Sequence, residues 1–123
     1  REMGVCPVEQ HGDDPLFEGL PRTFSVIQTH VDAVNTLPDG ASTIASSTLT
    51  EIQAMAIGDH VRTIQWHPEF DGEVIRHYIT VRAQLVDKEL GPGAAQRMLD
   101  GVSDVSSGPV IIQNFMRYFL NIR

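Results

Sequence analysis

One cysteine is all that the 123-residue sequence holds, and it stands at position 6. An internal disulfide is therefore impossible, and a reducing cytoplasm is the expected compartment. Basic residues are scarce as well, 9 against 16 acidic ones, which leaves a net charge of −7. That balance argues against nucleic acid, whose phosphates are neutralised by Lys and Arg, and against an anionic membrane surface. Small molecules and other proteins are the expected partners. Long apolar runs are missing too. None approaches the roughly 20 residues needed to span a bilayer, and no basic-then-apolar leader opens the chain. The chain reads as a soluble protein. It begins at Arg1 rather than at methionine and runs straight into a strand-like segment. It therefore reads as a piece of something longer.

What is present suffices for one packed domain. Apolar residues make up 41% of the chain and charged residues 20%, enough for a core and too apolar for disorder. The first two-thirds reads as short strands and turns. Strands are expected over residues 1–8, 24–30, 43–47, 52–57 and 61–66. Pro7 suggests that the first ends at or near a sheet edge. Residues 16–20 read as a short helical turn. Leu37-Pro38-Asp39-Gly40 is turn chemistry, and Gly58-Asp59 reads as a hairpin connection.

The final third changes period. Val74, Ile75, Tyr78, Ile79, Leu85 and Val86 recur at helical spacing, with Asp71 and Glu73 suiting the helix N-terminus. Pro92 can open a short helix over 92–99, stopped by Gly101. A third helix is expected from Ser107, with Ile111, Ile112, Phe115, Met116, Phe119 and Leu120 facing a core. Short strands followed by three helices give an α/β or α+β class. Five short strands are few for so many helices, so part of the sheet is expected to lie outside this chain.

The sharpest local feature is Gln65-Trp66-His67-Pro68-Glu69-Phe70. In an extended chain, side chains at i and i+2 share a side, and a residue before proline is pushed into the extended region. His67 and Glu69 would then emerge together as an imidazole with a carboxylate beside it, a general base with an orienting partner. The bland alternative is a surface pair or a structural hydrogen bond at a strand end.

These residues resemble the Q-F-H-P-E signature that closes class I glutamine amidotransferase domains, with Trp66 in the aromatic slot. The resemblance continues upstream. Thr29-His30-Val31-Asp32, Leu37-Pro38-Asp39-Gly40-Ala41 and Ile44-Ala45-Ser46-Ser47 are similar to the family's H-x-D, L-P-x-G-A and L-A-S-S run. Gln53-Ala54-Met55 is similar to its Q-A-F. Arg1-Glu2-Met3-Gly4, Pro7-Val8-Glu9 and Asp14-Pro15-Leu16-Phe17 look like the subgroup resembling the amidotransferase domain of GMP synthetase. The helical tail with Gln113-Asn114-Phe115 fits stand-alone members of it.

The resemblance implies a flavodoxin-like α/β fold of which residues 1–123 are the C-terminal part. It implies L-glutamine as substrate and a Cys-His-Glu triad that releases ammonia, with no cofactor. His67 would be the base and Glu69 its orienting carboxylate. Thr29, His30 and Asp32 would lie on a loop facing the glutamine pocket, although Asp32 equally suits capping of the adjoining turn.

One departure is serious. The family's nucleophile sits on a G-x-C-x-G elbow, and no such segment occurs here. Cys6 precedes Pro7, which has no N–H to stabilise an oxyanion. It reads instead as a small core residue. The nucleophile is thus expected from a missing N-terminal half or a partner chain. Two rivals stand beside this reading. One is an inactive binding or regulatory fragment or partner subunit, with homo-oligomers possible. The other is a metal site using the N/O pairs His30-x-Asp32 and His67-x-Glu69, although no His/Cys-rich cluster supports it.

Overall fold

In the computed structural model, which describes residues 1–120, every expected strand forms. They are β1 (Glu2–Gln10), β2 (Thr23–His30), β3 (Ala41–Ser46), β4 (Ala54–Ile57) and β5 (Val61–Ile64), in the order β2-β1-β3-β4-β5. All of the pairings are antiparallel. The turn before β3 closes through Ala41 N–H donating to the Pro38 carbonyl at 3.1 Å, with Gly40 at φ +80° where only glycine is comfortable.

β1 runs two residues past its expected end, so Pro7 does not terminate it. It pairs with β2 along almost its whole length but meets β3 only at Glu9 and Gln10. Pro7 therefore lies in a stretch with a strand on one side only, where a missing N–H costs least. Among the described residues, positions 2–8 of β1 thus have a free edge on the side away from β2, and β2 and β5 have free outer edges.

Both faces of the sheet are covered, because adjacent strand residues point to opposite sides. Val8, Phe24, Val26 and Ile44 pack with Trp66, the 3-10 turn Pro15–Phe17 and Ile111 of the last helix. Met3 and Ile27 pack on the other side against Ile75, Ile79, Val86 and Ala95. Burying side chains of this size stabilises by about 1.5–3 kcal/mol each.

Helix number is the main correction. Among the described residues four form rather than three: α1 (Gly72–Val81), α2 (Ala83–Leu90), α3 (Ala94–Asp100) and α4 (Ser107–Phe119). The expected continuous 74–86 helix breaks at Arg82, which closes α1 and opens α2. The β-branched run Ile79-Thr80-Val81 is a poor helix interior, and Thr80 Oγ1 donates back to the Arg76 carbonyl at 2.8 Å, a bond that bends helices. The apolar period passes through the break, because Ile75, Ile79 and Val86 are all fully buried. Ile112 and Leu120, expected to face a core, are exposed instead, and so is Leu85 of the apolar spacing. Asn114 takes the buried place on α4, donating to the Leu16 and Glu18 carbonyls at 3.0 and 2.9 Å. Among the described residues no helix is long and apolar enough to cross a membrane.

Candidate active site

The segment after β5 is delivered by two backbone bonds. Gln65 N–H donates to the Gln53 carbonyl at 2.8 Å, and His67 N–H to the Ile27 carbonyl at 2.9 Å. Between them Trp66 is 3% exposed, packed against Phe17 and Phe24. The expected strand over 61–66 stops at Ile64, and the chain enters a turn at His67. Phe70 N–H donates back to the His67 carbonyl at 3.3 Å. Pro68 takes the second turn position, for which its ring presets φ.

This turn, rather than strand alternation, brings the two side chains together. Glu69 Oε1 lies 2.7 Å from His67 Nδ1. A carboxylate is an acceptor only, so Nδ1 carries hydrogen and Nε2 is the ring nitrogen that Glu69 leaves unengaged. The imidazole stacks on Phe70 at 4.2 Å between centroids and 10° between planes, which fixes its plane. The side chains keep 34% and 56% of their surface exposed, so the pair is open to an incoming group. Burial alone raises the Glu69 carboxyl, but the His67 hydrogen bond, its own backbone amide and the imidazole charge together bring it below its ordinary 4.5. The carboxylate thus stays charged through mildly acidic pH, and the pair is lost only as pH falls through that lowered value.

Two supports are not legible in the sequence. Asp71 caps α1 directly after the turn, accepting from Val74 N–H at 2.9 Å; its acidity suggests the helix start but not the role of holding the turn's exit. The other is Gly108, in the first turn of α4. A Cβ there would sit 2.3 Å from the Pro68 carbonyl oxygen, so only glycine lets α4 lie against the His67–Glu69 turn. Ser107 Oγ fastens the same helix end by donating to the Ser25 carbonyl at 2.6 Å. A glycine between Ser107 and Pro109 is the sole signal.

Thr29 and His30 end β2, two and three residues beyond the Ile27 carbonyl that anchors His67. His30 Nδ1 lies 2.8 Å from the Asp32 carbonyl oxygen, again an acceptor only. His30 Nε2 faces Glu2 Oε1 at 3.7 Å and has no hydrogen-bond partner among the described residues. Among the described residues no three His, Cys, Asp or Glu side chains converge as a metal-binding group.

Cys6 sits elsewhere, in β1 opposite Val26. It is half-buried and joins neither core cluster, which corrects its reading as a core residue. Its sulfur lies 3.9 and 4.0 Å from the Gly4 and Met3 carbonyls. Burial, then the charge of Glu2, pushes the thiol up to about 11. It is a protonated thiol at neutral pH.

Comparison with known proteins adds the context. Residues 2–83 match the family model of class I glutamine amidotransferases. Over 69 residues the chain is 42% identical to a glutamine-hydrolyzing GMP synthase of Thermomicrobium roseum, covering 56% of this chain and 13% of that protein. It is 28% identical to gamma-glutamyl peptidase 3 of Arabidopsis thaliana, covering 94% of this chain and 50% of that one. The crystal structure of a glutamine amidotransferase from Methylobacillus flagellatus superposes with a TM-score of 0.76 at 16% identity, over 99% of this chain and 53% of its own. The chain thus spans about half or less of the length of these relatives. The chain adopts part of the flavodoxin-like α/β fold of the class I amidotransferase on which it superposes. From the family match over two-thirds of its length, the chain belongs to the class I glutamine amidotransferases, with its likeness to the GMP synthase-like branch.

Proposed function

We propose that this chain supplies the general base and its orienting carboxylate, His67 and Glu69, to a Cys-His-Glu glutaminase site whose nucleophile lies in a segment preceding Arg1. The observation that carries the proposal is the 2.7 Å His67 Nδ1–Glu69 Oε1 bond, which leaves Nε2 for a thiol. On this reading residues 1–123 are the C-terminal part of one amidotransferase domain. The free edge of β1 is where the remaining strands add, and a reducing compartment such as the cytoplasm keeps the thiol free.

The chemistry is set by the atoms. Nε2 takes the proton of the incoming cysteine thiol, and the thiolate adds to the carboxamide carbon of L-glutamine. The imidazolium returns its proton to the departing nitrogen, which leaves as ammonia, and a γ-glutamyl thioester remains. Water, deprotonated by the same Nε2, hydrolyses the thioester to glutamate and frees the thiol. Glu69 holds the ring in the required tautomer and stabilises it when charged. Thr29 and His30, on the neighbouring strand end, line the glutamine pocket.

Assayed alone, the chain is expected to release no ammonia from glutamine, because a base without its nucleophile has no covalent route. It is also expected to self-associate through the open β1 edge. Joined to its preceding segment, it is expected to turn over glutamine. Ammonia release by a monomer of this chain alone, at the rate of the longer protein, overturns the proposal.

A further inference from the structure

The most deeply buried carboxylate among the described residues takes no part in the proton transfers of His67. Glu2 is 5% exposed at the start of β1, where an unpartnered charge is costly. It is instead surrounded by donors from two separate parts of the chain. Ser47 Oγ donates to its two oxygens at 3.1 and 3.0 Å. Gln53 Nε2 donates at 2.8 Å and Gln28 Nε2 at 3.4 Å. Thr50 Oγ1 makes a further short bond to Oε1.

The β1–β2 register explains the convergence. It pairs Glu2 directly with His30, and Gly4 with Gln28, and directly opposed residues share a face. That face carries Phe24 and Val26 into the core at one end and Gln28 and His30 towards Glu2 at the other. Ser47, Thr50 and Gln53 come from the connection between β3 and β4, which is itself closed by Ser47 N–H donating to the Thr50 carbonyl at 2.8 Å. One carboxylate therefore ties the end of β2 to the β3–β4 connection.

We propose that Glu2 is a positioning residue for the glutamine pocket, holding the Thr29–His30 strand end in register from beneath. This deepens the proposed glutaminase function and rests on it, since it takes the loop after β2 to face glutamine. Glu2 reaches the end of β2 that leads into that loop, through Gln28 and through the close approach of His30. His67 makes no bond to Glu2 or to the side chains around it, and its own amide is held by the Ile27 carbonyl, so loss of Glu2 perturbs substrate binding more than chemistry.

The test is steady-state kinetics of the longer protein. Glu2→Gln keeps the shape but turns an NH2 towards surrounding donors, so at least one bond is lost and one donor is opposed. The expected result is KM for glutamine raised about tenfold or more, with kcat within about threefold, since bonds to charged groups are the strong ones. Thr50→Val, which removes one donor without changing shape, is expected to shift KM in the same direction by about threefold or more. A folded Glu2→Gln protein with wild-type KM, or one that loses kcat alone, overturns the proposal. If Glu2→Gln does not fold, an unchanged KM in Thr50→Val overturns it. His67→Ala, run in parallel, separates the two levels: if that variant keeps wild-type turnover, the function itself is wrong, whatever Glu2 does.

Discussion

His67→Ala in the longer protein is expected to abolish glutamine hydrolysis while circular dichroism stays that of the wild type. The imidazole is partly exposed and outside both core clusters, so its removal leaves the fold in place. Its loss removes both the base that activates the thiol and the acid that releases ammonia. General acid–base help of this kind is worth about 10²–10⁴-fold, and losing nucleophile activation adds to it. Glu69→Gln is expected to cost less, because the amide oxygen can still accept from Nδ1 while the charge that favours imidazolium is gone. Cys6→Ala is expected to leave the rate near wild type. Glutaminase rates for the three variants give the ordering, and wild-type activity in His67→Ala would contradict it.

Gly108→Ala should also have a large effect, although it touches neither reacting residue. Two effects oppose each other. Alanine in a helix gains about 1 kcal/mol over glycine from propensity. Against that, the new methyl would stand 2.3 Å from the Pro68 carbonyl oxygen and 3.1 Å from its carbon. Those are backbone atoms in a turn held at both sides by hydrogen bonds and cannot swing away. Overpacking of this sort costs about 1–3 kcal/mol, and the clash wins. Either α4 or the His67–Glu69 turn must move, and a misplacement near 1 Å costs about 10²-fold in rate. The expected result is a lower denaturation midpoint together with a fall in kcat. A variant as stable and as active as wild type would show that α4 does not buttress the turn.

How much of the molecule is legible in its sequence depends on how local each feature is. The His67–Glu69 pair is made within a four-residue turn around Pro68, so the sequence carries it, although through a turn rather than a strand end. The strands are legible from alternation and from turn residues such as Pro38, Gly40 and Gly58. The break at Arg82 is not, because the apolar spacing of Ile75, Ile79 and Val86 runs through it unchanged. Nor is the exposure of Leu85, Ile112 and Leu120, since an apolar stripe says which face is apolar and not how wide its cover is. The Glu2 cluster is out of reach altogether. Its partners lie 26 to 51 residues along the chain, and only the folded register brings them together.

On the proposed reading the nucleophile lies before Arg1 and not at Cys6, whose thiol is held up at about 11 by burial. The most direct measurement is to treat the longer protein at neutral pH with a chloroketone analogue of glutamine and to locate the adduct by peptide mass spectrometry. The predicted result is a single adduct on a cysteine of the preceding segment, blocked by excess glutamine, with Cys6 unmodified. An adduct on Cys6 that glutamine suppresses would contradict it.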